Sequence, residues 1–427
     1  MASTYLTRTP SSAGNRKTFT FSAWIKRCST GGTHYMAVQG SDGNNNWAFL
    51  FDGSDRFQMW NYVSDFQFNL KTNRKFRDLN AWYHLMGVVD TTQATSSDRV
   101  KLYVNGVQET SFAESTYPSQ NADMIVNTTN TFRLGIYTSG TSYFNGIMSH
   151  VHFVDGTAYT PSTFGQTDAT TGEWSINTTP TVTYGTNGFF MFKNDNSVTD
   201  QSGNSNNFTV AQGAVTKTED CPSNIFATAN PLNKTSNIFL GNANCAIGTD
   251  NTGTDEYISG TIAFGNGKYY WENKITSPGD PAIGIVPAEY NSSQIGNQRV
   301  MYHENGNIYT DGLGISAINT GVTYASGDII SVAFDTENGI IKWYKNNTLV
   351  NNSTITNSQL EFSNKVWVPI FYCANGNGNG TIQANFGNGH FGTTAVSSAG
   401  TNASNNGIFE YDVPTGYTAL STKGLNL

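Results

Sequence analysis

The side chains that could do chemistry in this sequence are few and far apart. His150 and His152 stand two apart in the alternating stretch GIMSHVHFVDG (146–156), so a strand there aims both imidazoles to one side. Zinc needs three or four ligands and the sequence assigns no others, so exposed histidines on a sheet face are the simpler account. Asp200, Asn204 and Asn206 could offer oxygens to Ca2+, although an Asx turn explains the same residues equally well. No other cofactor is indicated. A glycan hydrolase would need two carboxylates working as a pair. On a strand such a pair reads Glu-x-Asp-x-x-Glu or Glu-x-Asp-x-Glu; neither spacing occurs, and Glu219 and Asp220 are simply adjacent. GNGHFG (387–392) matches the Gly-x-Gly-x-x-Gly of dinucleotide-binding turns, but the next residues, TTAVSSAGTNASNNG, have no helical period, so it reads as a glycine turn after a strand. Cys28, Cys221, Cys245 and Cys373 are scattered without metal spacing and read as reduced or buried thiols; a Cys221–Cys245 bridge is conceivable, with nothing in the sequence to favour it.

That leaves binding. Sugars are held by aromatic faces together with amide and hydroxyl groups, which this chain has in excess. In RFQMWNYV (56–63), Phe57, Met59 and Val63 form a core face, which leaves Trp60 and Tyr62 toward solvent or a groove. In YHENGNIY (302–309), Tyr302, His303 and Asn305 form a second candidate set, read as a loop. Plain sandwich packing is the competing account of both sets.

The elements that must position these residues are strands. Charged residues make up 13% of the 427, about half of what soluble proteins carry. Asn, Thr, Ser and 43 Gly supply the missing polarity, and apolar residues alternate with small polar ones throughout. FTFSAWIKR (19–27) places Phe19, Phe21, Ala23 and Ile25 on one face and Thr20, Ser22, Trp24 and Lys26 on the other. Many short strands separated by Gly and Asn, with no long amphipathic helix, predict an all-β fold of antiparallel β-sandwiches. The net charge of −8 and the lack of basic runs argue against nucleic acid as a partner. No stretch is apolar enough to read as a membrane span, and the first residues do not read as a secretory signal. TEDCPSNIFATANPLNKTSN (218–237) carries two prolines and little alternation; it reads as a connector between a domain over 1–217 and another over 238–427. Two hairpins echo each other across that divide, GVVDTTQATSSDRVKLYVNGVQ (87–108) and SVAFDTENGIIKWYKNNTLV (331–350).

FTFSAWIKR, NAWYHLMGVVD, VKLYVNGV, FRLGIY and YFNGIMSHVHFVDGTAYTPS resemble a laminin-G-like, concanavalin-type jelly roll. Ser149 stands where many such domains have an Asp. FFMFKNDNSVTDQSGNSNNFTV (189–210) resembles the segment that usually opens the domain, which implies a circular permutation with this strand pair closing the sandwich beside its own N-terminus. GKYYWENKI, AIGIVPA, YHENGNIYTDG, SGDIISVAFDTENGIIKWYKNNTLV, VWVPIFY and TIQANFG resemble a SPRY domain, with Asn347 in place of the usual turn Gly. Both resemblances imply concanavalin-like sandwiches in tandem. With its opening STYLTRTPSSAGNRKTFTFSAWIKR and its ending FEYDVPTGYTALSTKGLNL, the chain resembles virion structural proteins of tailed phages of marine bacteria. That resemblance implies a non-enzymatic, fibre- or appendage-type virion component, assembled in the host cytoplasm and associated with other virion proteins as a homo-oligomer. Its domains would bind host-surface glycans or a receptor. A purely structural decoration protein is the alternative, and a glycan hydrolase a third.

Overall fold

The alternation in the sequence becomes strand almost wherever it occurs. The computed structural model describes residues 3–193, 197–249, 255–277, 279–290, 299–310, 316–356, 365–373 and 381–426. Among these the regular elements are strands and three single-turn 3-10 helices, with no α-helix, and no helix is long and apolar enough to cross a membrane. The chain divides into two compact units, residues 2–217 and 218–427.

The first unit begins with β1 (Tyr5–Arg8), β2 (Thr18–Arg27), β3 (His34–Asp42) and β4 (Asn45–Phe51). Next come β5 (Arg56–Val63), β6 (Asp65–Lys75), β7 (Trp82–Asp90) and β8 (Val100–Val104). They are followed by β9 (Val107–Gln108), β10 (Phe112–Thr116), β11 (Phe132–Leu134) and β12 (Gly146–Asp155). The unit ends with β13 (Gly165–Thr167), β14 (Trp174–Ile176), β15 (Phe189–Met191) and β16 (Thr209–Gln212). An eight-stranded sheet runs β10-β6-β5-β4-β3-β11-β1-β16 and a six-stranded sheet runs β15-β12-β2-β7-β8-β9. Their inner faces meet in one core that includes Phe19, Phe21, Trp47, Phe49, Met59, Leu102 and Phe153. Of the late segment, β15 edges one sheet beside β12, and β16 edges the other beside β1.

The second unit opens with β17 (Ala229–Lys234), β18 (Ile238–Gly241), β19 (Ala246–Thr249), β20 (Glu256–Gly260) and β21 (Lys268–Ser277). It continues with β22 (Pro281–Pro287), β23 (Val300–His303), β24 (Asn307–Tyr309), β25 (Ile318–Asn319) and β26 (Ile329–Asp335). After these come β27 (Ile340–Lys345), β28 (Thr348–Leu349), β29 (Ile355–Thr356) and β30 (Trp367–Cys373). The last four are β31 (Thr381–Asn385), β32 (His390–Phe391), β33 (Thr394–Ala395) and β34 (Thr418–Ala419). One sheet runs β17-β20-β30-β22-β23-β24-β25, the other β18-β19-β31-β21-β26-β27-β28. Trp271, Trp343, Trp367, Phe371 and Tyr302 fill the core between them.

The stretch 218–237 is not a free connector. It contains β17, and Phe226 and Ala229 are buried in the second unit, because apolar side chains in a Pro-containing stretch still need cover. Cys221 and Cys245 are both thiols, not a disulfide. Burial pushes the Cys373 thiol up to about 12.

The echoing hairpins match closely at their turns. Asn105 and Asn346 both adopt φ +47°, followed by Gly106 at +79° and Asn347 at +67°, the pair of left-handed residues a type I′ turn requires. Each Asn accepts at Oδ1 the N–H of the facing residue, His84 or Ile329, at 2.8 Å. At the other end of the hairpin, the amides of Thr91 and Thr336 bond the carbonyls of Lys17 and Gly267 (2.9 and 3.0 Å), tying each hairpin to the strand beside it.

Candidate functional site

Strand alternation sends every second side chain of β3 to β6 out of the eight-stranded sheet, and on that outer face five aromatic rings lie in sequence. Tyr137, from the loop after β11, stacks on Tyr35 of β3 with centroids 4.3 Å apart. Tyr35 meets Trp60 of β5 edge-on at 5.9 Å, Trp60 meets Phe66 of β6 at 6.0 Å, and Phe66 meets Tyr62 at 4.9 Å. Tyr35 is nearly covered, whereas Phe66 is 39% exposed. The two residues read from the sequence, Trp60 and Tyr62, are therefore brought together. Tyr35, Phe66 and Tyr137 join them without any signal in the sequence pattern.

The reason Phe66 escapes that pattern is a bulge. Tyr62 pairs with Phe66 but Asn61 pairs with Phe68, so Gln67 is an extra residue that turns Phe66 outward while Phe68 stays in the core. Plain alternation corrects the inner face of β5: Asn61, fully buried, follows Phe57 and Met59 inward, and Val63, at the end of the strand, lies outside the core. Asn61 is accommodated because its Oδ1 accepts the Ile125 amide at 2.8 Å.

Amides frame the rings. Trp60 Nε1 donates to Asn46 Oδ1 at 2.8 Å, and Asn46 Nδ2 donates to the carbonyls of Asp42 and Gly43. Asn69, opposite Trp60 in register, accepts from Gln58 at 2.7 Å and donates to Glu114 at 2.6 Å. Lys71 donates to Glu114 at 2.5 Å, and that bond chiefly holds the Glu114 carboxyl below its ordinary value. Ionised and paired, the Glu114 carboxylate accepts hydrogen bonds from Asn69 and Lys71 at the edge of the row.

The second candidate set does not form a loop site. Tyr302 and His303 belong to β23. The Tyr302 ring is in the core and its hydroxyl donates to Val322 O. His303 is buried against Tyr309 and Tyr372, with ring centroids 4.5 and 5.3 Å away. Asn305 alone is exposed, and its Oδ1 caps its own turn by accepting the Asn307 amide at 2.9 Å. Tyr302 thus faces the core between the sheets and His303 the opposite face, and the Asn305-Gly306 turn signal in the stretch concealed the strand before it.

The oxygens proposed for calcium are committed elsewhere. Asp200 accepts four hydrogen bonds, from the amides of Phe190, Ser202 and Asn206 and from the Ser202 hydroxyl, at 2.7–2.9 Å. Asn204 and Asn206 turn their Nδ2 donors toward the carbonyls of Gly185, Thr186 and Gly188, and Arg8 donates to Asn206 Oδ1. A guanidinium in contact with the cluster is the wrong neighbour for a cation, so these residues do not fit Ca2+. They form an Asx loop that orders the 200–207 turn.

His150 and His152 are buried and not exposed. A bulge between Ser149 and His152 puts His150 at φ +47°, and the segment 157–188 covers the outer face on which the rings lie. Burial holds His150 down to about 4 and His152 well below its ordinary value. GNGHFG is a glycine turn: Asn385 Oδ1 accepts the amides of Gly387 and Gly389, and β32 and β33 form a hairpin after it.

These two sandwiches define a tandem all-β protein of concanavalin-like class. Residues 2–163 match the family described as the concanavalin A-like lectin/glucanases superfamily, and residues 268–389 match the SPRY domain. The chain thus carries a laminin-G-like, concanavalin-type domain followed by a SPRY domain. No curated protein matches the chain. Among solved structures it is similar to the SPRY domain of human HERC1, with 15% identity, a TM-score of 0.29 and coverage of 36% of this chain and 96% of that one. It is also similar to the TRIM65 PSpry domain (14%, 0.30, 37% and 89%). A third is domain 4 of AbnA, a GH43 extracellular arabinanase from Geobacillus stearothermophilus, in complex with arabinotriose (21%, 0.27, 35% and 65%).

Proposed function

We propose that this chain is a non-enzymatic surface protein of a tailed-phage particle, of fibre or appendage type, whose first sandwich binds host-surface carbohydrate. The observation that carries the binding half is the row of five rings on the outer face of the eight-stranded sheet, framed by Asn46, Gln58 and Asn69. Sugar rings present apolar C–H faces and hydroxyl edges, which suit such a mixture. The virion half rests on the resemblance of the opening and closing segments. Weak single contacts would be multiplied by copies on the particle.

A structural decoration role without a ligand is the second reading. It is favoured by the rings packing on one another and by the near-complete cover of Tyr35. A multivalent form of the full chain on a glycan array separates the two. With Trp60→Ala and Phe66→Ala, each lost ring should weaken binding per copy by about 2- to 13-fold, the value of roughly 0.5–1.5 kcal/mol per aromatic contact. Wild-type protein that binds no glycan and no host cell would leave only the decoration role. Cryo-EM of the particle would locate the chain and test the virion assignment itself.

A further inference from the structure

The segment 157–188 lies across the outer face of the six-stranded sheet and extends beyond the stretch matched to the concanavalin-like family. It carries the short hairpin β13–β14, and its side chains reach the sheet at a histidine twice. Trp174 Nε1–H donates to His84 Nδ1 at 3.1 Å, the two rings being nearly coplanar at 19°. Because Nδ1 accepts, it carries no proton, and Nε2–H therefore donates to Ser22 Oγ at 2.8 Å. Tyr184 Oη lies 2.8 Å from His152 Nδ1. Trp174 sits against Gly106 and Gly165, where a Cβ would come within 2.6 Å of its ring. Phe164, Tyr159, Val182 and Tyr184 pack with Met86 and Val88 of the sheet.

We propose that this segment is an acid-releasable strap: a proton on His84 Nδ1 replaces the acceptor of the Trp174 indole by a second donor and frees the strap from the sheet. An indole N–H has no acceptor to offer in return, so the clash cannot be relieved by a flip of the indole. The charged and titratable groups on the surrounding elements are Lys26 on β2, Lys101 and Tyr103 on β8, His150 and His152 on β12, Lys193 after β15, and Tyr159, Asp168, Glu173 and Tyr184 of the strap. Glu173 is exposed, and no carboxylate among the described residues counters the burial that holds His84 down to about 3. His150, His84 and Lys193 all oppose a proton on His152. The Trp24 ring, 5.2 Å from His84, would attract an imidazolium, but such a contact offsets only part of the loss from burying an unpaired charge. Opening restores an ordinary imidazole, so each coupled histidine favours the open strap by about 10-fold per pH unit below roughly 6.5.

Hydrogen exchange of the full chain between pH 7.5 and 4.5, corrected for intrinsic rates, tests this. Peptides within 157–188 should lose at least about 10-fold protection by pH 5 while β4 and β5 keep theirs. His84→Gln offers the indole a carbonyl acceptor that does not titrate, and should shift release of the strap to lower pH, leaving only the weaker dependence that His152 supplies. Loss of strap and core together, or an unchanged midpoint in His84→Gln, would overturn the proposal. Should that variant not fold, the imidazole 15N signals of the wild type decide: Nδ1 of His84 unprotonated at pH 7 supports the latch, and a protonated Nδ1 refutes it.

Discussion

At Glu272 one carboxylate organises a whole segment. It is fully buried on β21 and accepts from the amides of Glu410 and Tyr411 (2.8 and 2.9 Å), from Tyr270 and from Asn385. Burial raises it to about 7, and those four bonds keep it from rising further. Glu272→Gln preserves the shape but points an NH2 at two donors, and should cost the second domain about 1–3 kcal/mol by denaturant midpoint at pH 8. Its pH dependence has a definite sign. A carboxyl raised in the folded state gives stability that is complete below its unfolded value and lost as pH rises to about 7. The buried histidines of the first domain run the opposite way: held down to about 3 for His84 and 4 for His150, they give stability that is present above roughly 6.5 and lost on acidification. Glu109, raised by burial, opposes them, one group against several. Calorimetry of the separate domains between pH 4.5 and 7 should therefore show the first gaining stability with pH, by up to about 1.4 kcal/mol per unit for each histidine, and the second losing it.

The paired hairpins argue at the scale of the element. One turn, one Asn bond and one tie to the neighbouring strand recur in both sandwiches, so the echo is scaffold. The turns still differ in what a substitution does. Asn347 at φ +67° stands where Gly would sit without strain, and Asn347→Gly should stabilise the second domain by a few tenths to about 1 kcal/mol. The reverse exchange, Gly106→Asn, should cost at least about 2 kcal/mol, because its Cβ would meet the Trp174 ring at 2.5 Å. Thermal melting of the two variants checks both directions. The strap, not the turn, makes the difference, since nothing comparable to Trp174 is signalled by the local spelling of either hairpin.

For the whole molecule, the boundary between units carries a prediction. A fragment beginning at residue 218 keeps Phe226, Ala227 and Ala229 in its core and β17 at its sheet edge. One beginning at 238 loses all of these; a buried Phe alone is worth about 3–5 kcal/mol, close to the whole stability of a modest domain. Circular dichroism and cooperative melting should find the 218–427 fragment folded and the 238–427 fragment not.

The alternating spelling of FTFSAWIKR, of VKLYVNG and of IIKWYKN determined the strands, the inner faces and the all-β class, because a period of two leaves a half-buried chain no other regular form. It also placed Trp60 and Tyr62 on one outer face. Tertiary structure decided the rest. A single extra residue, Gln67, turned Phe66 outward, and bulges cannot be read from period alone. Tyr35 and Tyr137 joined the row from strands and loops distant in sequence. His150 and His152 went from an expected surface to a buried one because a segment after their strand folds back over it, and Tyr302 went from a loop to a core. Spacing along the chain tells which side of a strand a residue takes. What lies against that side is set by which other segments arrive there, and that information is held in long-range contacts and not in the local pattern.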